Sequence, residues 1–92
     1  MQKPSLCRWV LTPVEKSYNN GAEVAPALIT RVWGDDMVNL TVFGDYNSPT
    51  FKSSAKLFAT EEEMWAWVKE NTPEDHEMAT NPLACYWPPK VT

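Results

Sequence analysis

Cysteine, histidine and glycine are all scarce in this chain of 92 residues, which holds two, one and three of them. Cys7, Cys85 and His76 leave a zinc site short of its usual sulfur and nitrogen ligands, so no metal is expected. The two cysteines also lack the C-x-x-C spacing and basic surroundings of a redox pair, and the expectation is two free, partly buried thiols in cytosol. No run is long and apolar enough to span a bilayer. Near the start, Pro4, Arg8 and Pro13 interrupt any apolar core of a signal peptide, which points to the cytoplasm and to no membrane partner.

Positive charge is thin as well. The formal net charge is −4, and the eight lysines and arginines are scattered from Lys3 to Lys90. Binding to duplex nucleic acid begins with a basic stripe that displaces counterions from phosphates, and no such stripe is present. A small phosphate-bearing ligand needs only one or two positive groups and stays open. The glycine-rich phosphate loops and the nucleophile elbow are missing too. The expectation is therefore a protein that is not an enzyme and uses no cofactor.

What the chain does have is aromatic bulk and proline: five Trp, three Tyr, three Phe and eight Pro. A chain of this length fits one domain. So small a domain buries a modest share of its surface and leans on large side chains or on a second subunit, so a homo-oligomer is expected.

The most regular stretch is ALITRVWGDDMVNLTVF, residues 27–43. It reads as two strands, Ala27–Trp33 and Met37–Phe43, joined by Gly34-Asp35-Asp36, residues that tolerate left-handed backbone angles in a tight turn. Strict alternation puts Val38, Leu40 and Val42 on the core face with Leu28 and Val32 opposite. Leu6–Leu11 reads as a first strand ended by Pro13, with Trp9, Leu11 and Cys7 on one side. Tyr18-Asn19-Asn20-Gly21 is a turn. Thr50–Ala59 reads as another strand with Phe51, Leu57 and Phe58 as its apolar points, broken near Ser53-Ser54.

Thr60 with Glu63 three residues on is a capping box, and Glu61 and Glu62 suit the positive end of a helix. That helix carries Met64 and Val68 on one face, flanked by Trp65 and Trp67, and stops before Pro73. Residues 73–82 read as an acidic connection, and Leu83–Trp87 as a last strand. The expected fold is mainly β (α+β), a small strongly bent antiparallel sheet or SH3-like barrel with one appended helix at about 60–71. Within one domain, residues 1–20 form an N-terminal strand or arm, 21–59 the β core, 60–71 the helix and 72–92 a proline-rich loop and final strand.

His76 lies in an acidic loop with no nucleophile tied to it, and a surface histidine accounts for it. Asp35-Asp36 lacks the ligand spacing of a calcium loop. The constellation worth following is the other face of the hairpin: Arg31, Trp33, Asn39, Thr41 and Phe43. A guanidinium pairs with phosphate or carboxylate or stacks on a ring, Trp and Phe offer flat surfaces, and Asn and Thr orient by hydrogen bonding. The ordinary alternative is an outer sheet face covered by the helix or a second subunit, with Arg31 lying over Trp33.

Asn19-Asn20-Gly21 through Pro26-Ala27, Arg31-Val32-Trp33, Val38-Asn39-Leu40-x-Val42 and the late Tyr86-Trp87-Pro88 together resemble a group of small tailed-bacteriophage proteins sharing P-A-x-x-x-R-V-W, V-N-L-x-V and a C-terminal W-P. Tyr86 stands where that group more often has Trp, and the helix is an addition to its shorter members. The resemblance implies phage origin and life in the cytoplasm of an infected bacterium. It implies a host-takeover or counter-defence factor that sequesters a nucleotide-like ligand or masks a host protein, and it brings no catalytic residues. A structural accessory of the phage particle is the alternative.

Overall fold

The computed structural model describes residues 1–71 and 81–89. Its elements run β1 (Trp9–Pro13), β2 (Val24–Gly34), β3 (Met37–Val42), β4 (Thr50–Phe58), α1 (Glu61–Asn71) and β5 (Ala84–Tyr86). Each strand pairs with the next, and β5 returns to pair with β1, so the sheet closes into a five-stranded barrel. Closure removes the unpaired edges that an open sheet would present. The mainly β fold with one helix is the expected one. One seam departs from an antiparallel sheet: β5 runs parallel to β4, from Lys56↔Ala84 to Phe58↔Tyr86. A parallel pair requires a crossover connection, and α1 lies in it.

Val38, Leu40 and Val42 point into the barrel as alternation requires. Their expected partners need correction. Ala25, Ala27 and Ile29 are the buried residues of β2, while Leu28 opposes Thr41 on the outside. The cause is a bulge. Ile29 pairs with Leu40 and Arg31 with Asn39, which leaves Thr30 as an extra residue and flips the parity of β2. Only beyond it does Val32 come opposite Val38, at the mouth of the barrel where it stays exposed. A second extra residue, Trp33, precedes the Gly34↔Met37 pair. The Asp35-Asp36 turn has no positive φ, so the left-handed angles expected of it are not used.

A third bulge falls where β4 was expected to break. Val38 pairs with Ala55 and Leu40 with Lys52, so Ser53 and Ser54 together face Asn39, with Ser54 at φ 58°. This register corrects the apolar reading of β4: Phe51 points out, 79% exposed, and Lys52 points in, 5% exposed. In β1, which starts three residues later than expected, Val10 and Thr12 face inward and Trp9 faces out. Cys7 sits in the preceding turn at φ 67°.

The Tyr18–Gly21 turn forms, with Asn20 and Gly21 at positive φ. Its tyrosine hydroxyl shares its single proton between the carbonyls of Ser48 and Val42, at 2.8 and 3.0 Å. Gly44 is required beneath it, because a Cβ there would lie 2.5 Å from the Tyr18 carbonyl oxygen.

Thr60 caps α1, its Oγ1 accepting from the Glu63 N–H at 3.2 Å. Met64 and Val68 are buried with Ala84 and Tyr86 under a rim of Leu11, Val24, Phe58, Trp65 and Trp67. Each such aliphatic side chain contributes about 1.5–3 kcal/mol when fully buried. The helix thus covers the seam of β4 and β5 and leaves the hairpin bare. Among the described residues, no helix is long and apolar enough to cross a membrane. His76 and the acidic connection up to Thr80 lie outside the described residues.

Candidate functional site

The bulge at Thr30 decides where Arg31 goes. It turns the side chain outward beside Asn39, directly across the ladder, although Ile29 two positions earlier is in the core. At the next bulge Trp33 folds back along the same surface. The Arg31 guanidinium carbon lies 4.3 Å from the centre of the Trp33 ring, within cation–π range. The indole Nε1–H donates to Asn39 Oδ1 at 2.8 Å, which holds the ring in place although it is 53% exposed.

Asn39 Oδ1 also accepts the Ser54 backbone N–H at 2.8 Å. One amide oxygen therefore serves the bulge of β4 and the aromatic ring of β2 together. Its two lone pairs are spent, and the amide N–H₂ is what this side chain has left to offer. Arg31 differs. Its face is stacked, its edges are not paired with any carboxylate among the described residues, and it remains exposed.

The other two residues of the predicted constellation stand apart from these three. Thr41 is flanked in register by Leu28 and Phe51. Phe43 tilts against Trp9, ring centres 5.7 Å apart. The outer surface of β1–β4 thus holds two neighbouring groups: Arg31, Trp33 and Asn39 at the hairpin's turn end, and Trp9, Leu28, Thr41, Phe43 and Phe51 along its middle. The helix covers neither. Arg31 does lie over Trp33, as the ordinary reading of that pair anticipates.

Sequence reasoning missed Lys52. Its Nζ donates to Thr12 Oγ1 at 2.8 Å, Pro13 O at 2.6 Å and Pro82 O at 2.7 Å. Thr12 in turn donates to Ala84 O at 2.7 Å. All three ammonium protons are used, and they tie β1, β4 and the entry to β5 together. Burial draws the Lys52 ammonium down to about 7, and the neighbouring Cys85 acts weakly the other way. The same burial pushes the Cys85 thiol up to about 12, against the pull of Lys52. The signal lay in parity: with Val42 set against Thr50, residue 52 must face in.

A buried lysine drawn toward neutrality is the kind of group active sites use. Here its donors end on backbone carbonyls and a threonine, and Cys85 is held as an inert thiol, so the arrangement fastens the barrel. Among the described residues no three His, Cys, Asp or Glu side chains gather to hold a metal.

No protein-family model, no curated protein and no solved structure matches this chain.

Proposed function

We propose that this is a non-catalytic binding protein that presents the outer face of the β2–β3 hairpin to a partner. The observation that carries the reading is Arg31 stacked on an anchored, exposed Trp33 with its guanidinium edge unpaired among the described residues. A cation held rigid in this way loses little entropy when it meets a carboxylate or phosphate, and Trp and Arg are the residues that dominate binding interfaces. Trp9 and Phe51, 51% and 79% exposed on the same outer surface, extend the face well beyond the size of a small ligand. That breadth favours the masking of a host protein, whose acidic group meets Arg31 while its apolar surface covers the aromatics.

The resemblance to small tailed-phage proteins supplies the setting: an infected bacterial cytoplasm, where the captured partner belongs to the host. A nucleotide-like ligand is the second reading, favoured by a guanidinium edge unpaired among the described residues beside an aromatic ring at one spot. The two separate on a thermal-shift panel of linear and cyclic nucleotides run on wild type and Trp33→Ala, since a ligand that binds only the folded state raises its melting temperature and one held at this face loses that rise in the variant. Co-purification from infected cells with wild type, Arg31→Ala and Trp33→Ala tests the first. The protein that wild type retains is expected to be lost from both variants, and its retention by both removes the hairpin face from consideration.

A further inference from the structure

At the end of the barrel that also carries the hairpin turn, the N-terminal arm, the residues before α1 and those after β5 line an open groove of about 750 Å³. Sites for small molecules fall in the range of about 300–1,000 Å³. Arg8 lines it, with Trp9 and Trp87 as aromatic walls. A second cavity of about 330 Å³ continues past Trp87 and Thr60 to Glu61 and Glu62 at the start of α1.

Arg8 is held in position by its backbone. Its carbonyl accepts the Ile29 N–H at 3.0 Å, and the Cys7 N–H on its other side donates to the Ile29 carbonyl at 3.0 Å. The strained turn at Cys7 makes this double contact with β2 possible and aims the side chain across the groove, where its guanidinium carbon is 5.7 Å from the centre of the Trp87 ring. Trp87 is itself tied down, its Nε1–H donating to the Gln2 carbonyl at 3.2 Å. Among the described residues Arg8 has no ion-pair partner; its guanidinium donates to the Gln2 side-chain oxygen, a neutral acceptor that an anionic group would replace. The groove is thus positive at one end, aromatic in the middle and negative at the other.

We propose that this groove is a binding site for a flat aromatic molecule with an anionic group at one end, seated on Trp87 with its charge at Arg8. A guanidinium supplies paired donors to phosphate or carboxylate, and an indole face stacks on any planar ring. The acidic first turn fixes the orientation, because it repels an anion and accepts N–H donors on the uncharged end of the ring. Adenosine monophosphate is the probe with these properties. The groove lies at the same end of the barrel as Arg31 and Trp33, but no residue of the hairpin lines it; Trp9 connects the two, lining the groove and packing on Phe43.

The test is a titration of the ¹⁵N-labelled full chain with adenosine monophosphate, read on the five tryptophan indole N–H signals. The expected result is saturable movement of the Trp87 and Trp9 signals with Trp33 unmoved. Affinity is expected to be at least about 10-fold weaker for adenosine, which lacks the anion, and for Arg8→Gln. Trp87→Phe keeps a stacking surface where Trp87→Ala endangers the fold, and it is expected to retain binding in part. No saturable shift, movement of Trp33 without Trp87, or equal affinity for adenosine and adenosine monophosphate would each overturn the proposal.

Discussion

Lys52 inside the barrel and Arg31 outside it are two cations on the strands that flank β3, with opposite employment. Every donor of Lys52 ends on an oxygen of its own chain, two of them backbone carbonyls that no other side chain serves in this arrangement. Arg31 spends only its flat face, on Trp33, and keeps its edge. The inner cation costs desolvation and returns closure of the barrel. The outer one is exposed and has no carboxylate partner among the described residues. A charge is therefore read by where its hydrogen bonds end, and on the proposed function stability and recognition fall to different residues.

The sharpest way to break that comparison is truncation at each cation. Lys52→Ala orphans three acceptors in the barrel wall and is expected to lower unfolding stability by about 3 kcal/mol, whereas Arg31→Ala is expected to stay within about 0.5 kcal/mol. Chemical denaturation of the two variants measures both, and similar losses would erase the distinction.

Asn39 lies between the two cases, being half-buried and shared between structure and surface. Asn39→Ala removes the acceptor for the Ser54 N–H and for the Trp33 indole, with an expected loss of about 1–2 kcal/mol and a broadened, solvent-shifted Trp33 indole signal. An unchanged Trp33 signal would show that the ring is held by something else.

The two cations also part in their response to pH. Folded Lys52 titrates at about 7 against 10.5 ordinarily, so between those values the unfolded chain binds more protons and stability rises with pH. Cys85, held at about 12 against 9.0, works in reverse above pH 9, and Tyr86, also raised to about 12 by burial and by the carboxylate and hydrogen bond of Glu61, adds to that fall from pH 10. Stability is therefore expected to climb by roughly 1–2 kcal/mol from pH 7 to 9, level off, and decline above about pH 10. The climb should vanish in Lys52→Met and persist in Arg31→Ala.

The smallest effect concerns the cap of the helix that leaves the hairpin bare. Thr60→Ala is expected to lower stability by about 1 kcal/mol without changing what the hairpin binds.

Much of this division was legible in the sequence, and its limits have one physical cause. Val38, Leu40 and Val42 declared the core because β3 alternates strictly, and Thr60 with its glutamates declared the helix start because capping is local. The outward pairing of Arg31 and Asn39 was likewise readable. Parity failed on β2 and β4, where extra residues at Thr30, Trp33 and Ser53-Ser54 shift the register. Leu28 was expected on the core face for that reason, Phe51 was read as an apolar point of β4 though it faces out, and Lys52 was overlooked. Bulges are fixed by the neighbouring strand, here by Asn39, and a single strand's pattern does not announce them.

The central proposal is that the hairpin's outer face binds and does not hold the fold. Its most direct test is the double variant Arg31→Ala/Trp33→Ala, compared with wild type for melting temperature and for the specific partner retained on co-purification from infected cells. The prediction is a melting temperature within a few degrees of wild type and complete loss of that partner. A variant that keeps the partner, or one that loses it only by unfolding, would contradict the account.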